Sequence, residues 1–389
     1  MNDELQNRIT DIFRERFGQK PVVVKSPARI NLIGEHTDYN GGYVFPATID
    51  KYIFAAVAPS GSAISNVFSV DYNENYVLNP DDLHKEESGS WKNYVAGVVY
   101  GLLEKGCKAG NFNMVIGGNI PLGAGLSSSA ALENSIVFGL NHIFGLGLTN
   151  DEMMDISIAA EHNFAGVQCG VMDQFANLNG KKDNAVLLDC ATMSFNHIPV
   201  QLDDYQLVLV NSNVKHILSD SPYNRRKQEC NAGFGALKRK YPALLSLSRA
   251  TLKQLDTVRG EITDVVYKRC KFVIEENRRV LSAKEALSGF DVLSFGSLLY
   301  QSHRGLSSLY EVSCDELDFL VDFAKDFNGV AGSRMMGGGF GGCTLNLVKN
   351  DKVESFSDKV TGTYFKEFGI KADVYRVKIT DGTEIVSGG

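Results

Sequence analysis

No Cys-x-x-Cys pair occurs among the seven cysteines, at 107, 169, 190, 230, 270, 314 and 343. An odd number at wide spacing argues against a disulfide framework and against a structural zinc site, so a reduced, cytoplasmic setting is expected. Long apolar runs are missing too: the longest, around Tyr94 to Leu103, is far too short to span a bilayer. The opening stretch MNDELQNRITDIFRERFG lacks the basic start and apolar run of a signal peptide. Positive charge is scarce, with 39 Lys and Arg against 46 Asp and Glu and a formal net charge of −7. Bulk charge therefore suggests neither a nucleic acid nor a membrane surface as partner, and no obligate protein partner is evident. There is no fixed-period repeat and no low-complexity tract.

What is present is an ordinary globular composition, 44% hydrophobic and 22% charged, over 389 residues. That length fits two domains sharing an interface. Leu5, Ile9, Ile12, Phe13 and Phe17 predict a helix that Gly18 ends. Strand-like runs follow at 22–24, 52–57, 76–78, 112–116, 184–189 and 206–210. Helices are predicted over 91–103, 127–143 and 151–163. From 221 to about 327 the pattern is mostly helical, clearest where Leu317, Leu320, Val321 and Ala324 form one stripe. The mixture reads as α+β, with strands and helices segregated. A boundary is placed near residue 202, dividing the chain into 1–202 and 203–389, although no Pro/Ser linker marks it.

Two loops carry the chemistry. NLIGEHTDYNGG at 31–42 crowds Glu35, His36, Asp38 and Tyr39 into five positions. Carboxylates and one His at this density suit either a sugar, whose hydroxyls each need partners, or half of a cation site. GGNIPLGAGLSSSAALENSIVFGL at 117–140 places glycines and then Ser127, Ser128 and Ser129 where a helix begins. Free backbone N–H groups and the helix dipole favour a phosphate there, and a hydroxyl can ligate magnesium. A Ser-capped helix after a flexible turn is the alternative. The segment is neither a Walker A loop nor a Rossmann fingerprint. Gly337-x-Gly339-x-x-Gly342 matches the latter in letters, but it leads into a strand near the C-terminus and lacks the βαβ setting.

These segments, in this order, resemble the GHMP small-molecule kinases, and PARINLIGEHTDYNGGYVFPATID resembles the signature of their galactokinase family. The resemblance extends through WKNYVAG, CGVMDQF, YNRRKQEC, LYEVSCDELDFLV and GSRMMGGGFGGC, covering roughly residues 22 to 345. It implies a two-domain fold: an N-terminal domain like domain 2 of ribosomal protein S5, and a ferredoxin-like C-terminal domain, with the site in the cleft between them. It implies transfer of the γ-phosphoryl of ATP to the C1 hydroxyl of galactose.

The resemblance assigns roles residue by residue. Glu35, His36, Asp38, Gly170 and Tyr223 fall to the sugar. Asp173 and Arg29 form the catalytic pair, with Asp173 accepting or only orienting the hydroxyl proton. Gly123, Gly125, Ser127 and Ser128 cradle the phosphates, and Trp91 and Tyr94 border the adenine. Ser129 and Glu161 hold Mg2+. Residues 337–342 close the site from the second domain. Taken alone, Asp173 reads as a helix cap, Arg29 as a surface or interdomain salt bridge, Glu161 as solvent-facing, and Trp91 and Tyr94 as core.

Three positions depart from the family pattern. Ala28 stands where Gly is usual and is strained if φ there is positive. Pro222 restricts Ser221 before Tyr223, and Met336 replaces a Thr. Two other functions compete: a kinase for a related sugar such as N-acetylgalactosamine, galacturonate or arabinose, and a non-catalytic sugar and nucleotide sensor on the same fold.

Overall fold

The computed structural model describes residues 2–87, 89–121, 123–214 and 222–387. In chain order the first half contains α1 (Asn2–Phe17), β1 (Val22–Asn31), β2 (Tyr43–Val44), β3 (Pro46–Pro59), β4 (Ser65–Ser69), β5 (Glu74–Leu78), α2 (Lys92–Glu104), β6 (Phe112–Gly118), α3 (Ser128–Phe144), α4 (Asn150–Ala160), α5 (Met172–Asn179), β7 (Asn184–Asp189) and β8 (Ser194–Pro199). The second half follows with β9 (Tyr205–Asn211), α6 (Pro222–Lys240), α7 (Leu252–Asp256), α8 (Asp264–Ser288), α9 (Val292–Gly305), α10 (Asp315–Asp326), β10 (Val330–Met335), β11 (Cys343–Lys349), α11 (Val353–Phe368), β12 (Asp373–Val377) and β13 (Glu384–Ser387).

The first sheet runs β13-β1-β3-β6-β4-β5. Its central strands β1, β3 and β6 carry apolar runs because both faces are covered there. Val23, Phe54, Ala56 and Val115 meet Ile9 and Phe13 of α1. Their neighbours Val24, Ala55, Val57, Met114 and Ile116 face the other way, against the layer of α2, α3 and α4. Successive strand residues point to opposite faces, so one run serves two cores.

The second large sheet runs β10-β11-β9-β12, with every neighbouring pair antiparallel. Counting only its own strands, that order is 2-3-1-4 with helices after the first and third, the ferredoxin-like arrangement. On one face α10 and α11 supply Leu320, Ala324, Phe356, Val360 and Tyr364. The expected stripe on α10 is buried at all four positions. The point near residue 202 lies between the strands of these sheets. β13 is the exception to a simple division there, since it returns to pair with β1.

The two halves share a core. Leu32, Ile33 and Phe45 pack with Val280, Leu287, Phe295, Met336 and Leu345. Met336 is 1% exposed there, so its thioether fills this seam. Ala28 lies within β1 opposite Ile49 and has no positive φ, so the strain conditional on one does not arise. Ser221, which Pro222 was expected to restrict, lies outside the described residues.

Candidate active site

A cavity of about 410 Å³ opens where the two halves meet. It is lined by Arg29, Glu35, His36, Asp38, Tyr94, Gly123, Gly125, Ser127, Ser128, Ser129, Glu161, Gly170, Asp173 and Tyr223. These are all the residues assigned from the sequence to the sugar, the catalytic pair, the nucleotide or the metal, except Trp91. Trp91 lines an adjoining cavity of about 170 Å³, which shares Tyr94, Ser128 and Ser129 with the first. There its ring stacks on Tyr72 at 6.3 Å and its indole N–H donates to Glu74.

Arg29 and Asp173 form a two-pronged ion pair, Nε to Oδ1 and Nη2 to Oδ2, both at 2.8 Å. Arg29 is 5% exposed, so it is not the surface bridge that a lone Arg usually makes. Its third prong donates to the Gly125 carbonyl at 2.7 Å. Burial pulls the guanidinium pKa down, but Asp173, Glu35 and Asp38 outweigh this and raise it on balance. Ser127 adopts a left-handed conformation (φ 56°) just before α3, and its hydroxyl donates to Asp173 Oδ2 instead of capping the helix. The 123–129 loop, the guanidinium and the carboxylate are thereby tied into one unit. Asp173 sits in the first turn of α5, where its negative charge suits the helix N-terminus.

The 31–42 loop is held by the second half. Glu35 is 1% exposed. Its Oε1 accepts from Arg334 at 2.9 Å and from the Gly337 N–H at 2.8 Å, and its Oε2 accepts from Asn31 at 3.0 Å. A carboxylate has about four acceptor sites, so one remains on Oε2. His36 has φ 62°, and its Nδ1 lies 2.7 Å from the Tyr39 hydroxyl. Its Nε2 is buried and has no well-aligned hydrogen-bond partner among the described residues, although the Gly338 backbone favours a proton on the ring. Burial, and then the charge of Arg226, push the imidazole pKa down to about 3, so the ring is neutral. Burial pushes Asp38 up to about 7, with Asp173 and Glu35 adding repulsion. A Cβ added to Gly170 would meet Asp38 Oδ2 at 1.9 Å, so that position must be glycine for Asp38 to sit as it does. The cation reading of Glu35, His36 and Asp38 gains nothing here: among the described residues no group of three or more His, Cys, Asp or Glu is arranged to hold a metal.

Glu161 is 5% exposed, not solvent-facing. The expected helix over 151–163 is α-helical only to Ala160 and then widens into a π-turn, Glu161–Ala165. The wider turn changes the angular position of residues from Glu161 on relative to the α-helical stripe. Burial raises its pKa to about 7, while a hydrogen bond from Ser129 opposes that and the charge of Asp173 adds to it. A carboxyl and a hydroxyl on one wall, both hard oxygen donors, fit magnesium, which also keeps water and phosphate oxygens as ligands.

The glycine segment 337–342 meets the 123–129 loop backbone to backbone. A Cβ on Gly337 would lie 3.2 Å from the Gly125 carbonyl oxygen, and one on Gly342 would lie 3.3 Å from Ala124. Gly337 and Gly338 complete the wall. The sequence reading gave Arg334 no role. Its signal was a charge inside a run of small and apolar residues, Val330 to Gly339, where only a paired Arg is affordable in a core.

Known proteins match over most of the chain. The galactokinase galactose-binding signature matches residues 11–59, the GHMP kinases N terminal domain 93–181, and the GHMP kinases C terminal domain 283–366. A galactokinase of Thermosipho africanus is 40% identical over 92% of this chain and 98% of its own. One of Clostridium tetani is 41% identical over 92% of each. The crystal structure of Lactococcus lactis galactokinase complexed with galactose superposes with a TM-score of 0.93 at 35% identity, over 98% of this chain and all of that one. A mevalonate kinase structure, at TM-score 0.64 and 17% identity, shares the fold alone. Identity at this level over nearly the whole length reaches beyond a shared fold, and the chain belongs to the galactokinase family of the GHMP kinases.

Proposed function

We propose that this chain transfers the γ-phosphoryl group of ATP to the C1 hydroxyl of galactose, giving galactose 1-phosphate and ADP. The observation that carries this reading is the Arg29–Asp173 pair. It lies between the polar 31–42 loop and the Gly125–Ser129 loop, in a single cavity. Galactose occupies the end formed by Glu35, His36, Asp38, Gly170 and Tyr223. Carboxylates and a neutral imidazole there supply the partners that a hexose loses on leaving water.

ATP lies along Gly123, Gly125, Ser127 and Ser128, with its base toward Tyr94 and Trp91. Asp173 orients the C1 hydroxyl and takes its proton as the oxygen–phosphorus bond forms and the bond to the β-phosphate oxygen breaks. Arg29 stands beside Asp173 and the transferring group, offsetting charge on the phosphoryl oxygens. In a loose transition state the proton can leave late, so the fixed orientation from two-pronged pairing matters more than base strength. Ser129 and Glu161 would hold magnesium, which, when bound, clamps the phosphate oxygens and spreads their charge. The seam of Gly337 and Gly338 keeps water from the transferring group. The reduced cysteines fit work in the cytoplasm.

ADP release, coupled to an indicator reaction, tests the reading with magnesium-ATP and galactose, glucose, N-acetylgalactosamine or no sugar. Turnover with galactose and little with glucose is expected. Turnover confined to another sugar moves the substrate, and ATP binding without turnover on any sugar supports the sensor instead.

A further inference from the structure

Tyr39 belongs to the same loop as the sugar groups, yet it does not line the cavity. Its hydroxyl lies 2.7 Å from His36 Nδ1 on one side and 2.9 Å from the Tyr310 hydroxyl on the other. Tyr310 Oη lies 3.2 Å from Cys230 Sγ. Four groups thus form a train that starts in the second half of the chain and ends on His36, whose buried Nε2 has no well-aligned partner among the described residues. Tyr310 and Cys230 are 0% exposed, so water does not compete for the link between them.

A neutral imidazole carries one ring proton, and the bond made by one nitrogen decides the state of the other. The direction of the train therefore sets what Nε2 offers. If the protons pointed outward, the last phenol would end on sulfur, a weak acceptor. If they point inward, each phenol donates to a better acceptor and the thiol only has to donate. The 2.7 Å link also suits an O–H donor, which approaches more closely than an N–H donor does. We propose that Cys230, Tyr310 and Tyr39 donate in sequence toward His36 Nδ1. This fixes Nε2–H as a donor for one sugar hydroxyl oxygen, beside the carboxylates of Glu35 and Asp38, which are acceptors. Tyr39 and Tyr310 are then positioning residues for sugar recognition.

This rests on the sugar reading of the site. Tyr310→Phe removes one oxygen and leaves the ring contacts with Phe272 (4.7 Å) and His36 (4.8 Å), and the Arg226 bond to the Tyr310 carbonyl, in place. The enzyme, labelled with 15N-histidine and assigned with His36→Asn, reports the tautomer by long-range proton–nitrogen correlation. In wild type the proton is expected on Nε2. In Tyr310→Phe the tautomers should mix, and the galactose KM should rise about five- to tenfold with kcat within about twofold. One monodeoxygalactose, lacking the hydroxyl that His36 reads, should show the same KM in both proteins. A wild-type proton on Nδ1, or a variant with unaltered tautomer and KM, overturns the proposal. Tyr39→Phe, which removes the final donor, decides in the same way if Tyr310→Phe does not fold. If wild type turns over no sugar, the functional reading fails, and the tautomer alone still decides the direction of the train.

Discussion

Arg334 Nη2 lies 2.9 Å from Glu35 Oε1, and neither side chain is more than 2% exposed. The same guanidinium donates to the carbonyls of Leu32 and Met335, each at 2.9 Å, and to that of Asn31. A strand of the second half therefore grips the turn from which the 31–42 loop emerges. Removing one partner of a buried pair typically costs about 3–5 kcal/mol, since the other charge is left stranded. Arg334→Met should unfold at markedly lower denaturant by about that free energy, with a raised galactose KM in whatever folds. Identical urea midpoints for variant and wild type would contradict the brace.

Asp173→Ala strands the buried guanidinium of Arg29 and should lower stability, but the fold should persist, because the core face of α5 is carried by Met172, Phe175, Ala176 and Leu178. Turnover should fall by a factor on the order of 100 to 10,000, the range for losing a positioned proton acceptor. Near-normal kcat, with circular dichroism unchanged, sinks the assigned role.

Gly170→Ala places a methyl where the Asp38 carboxylate sits. Asp38 must swing away, so the galactose KM should rise about tenfold or more, as for a lost charged hydrogen bond. The ATP KM should hardly move. Equal loss for both substrates would mean a general collapse of the cavity.

Asp38 has a folded pKa of about 7, against an ordinary value of 3.8. Between those values the folded protein binds more protons than the unfolded one, so this group's stabilisation is complete below pH 3.8 and is lost as pH rises through 7. His36 runs the other way: its share is present above 6.5 and is lost as pH falls toward 3. It is common to wild type and Asp38→Asn, so it largely cancels between them. Without ligands, Asp38→Asn should melt above wild type at pH 8, and the gap should close toward pH 4, while galactose binding is weakened. Equal melting temperatures at pH 8 would show that burial does not burden Asp38.

Ser129→Ala should shift the magnesium titration of turnover to higher concentration, by removing one of two protein oxygens. An unchanged titration takes Ser129 out of the metal site.

Local order was readable wherever a run met a covered surface. The α10 stripe is an example, because period and burial there agree. The candidate site was readable as far as ordered motifs reach, which brought fourteen residues to one cavity. Contacts between distant segments were not. Nothing in YNGG announces that Tyr39 meets a tyrosine 271 positions later. The π-turn at Glu161 leaves no periodic trace, since one widened turn disturbs the pattern less than ordinary sequence variation. Arg334 left only the oddity of a charge among small residues. Such pairings depend on three-dimensional closure, which a one-dimensional pattern does not encode.

Strand β13 pairs Ile385 with Val24 and Glu384 with Lys25, antiparallel along the outer side of β1. During synthesis, that margin of the first sheet must wait for nearly all the remaining residues before it gains its neighbour. An open strand margin invites pairing with other chains, and a contact of such large sequence separation closes late. The N-terminal half therefore cannot finish its own sheet ahead of the rest. Birth order, and not only the shared cleft, makes the two halves a single folding unit.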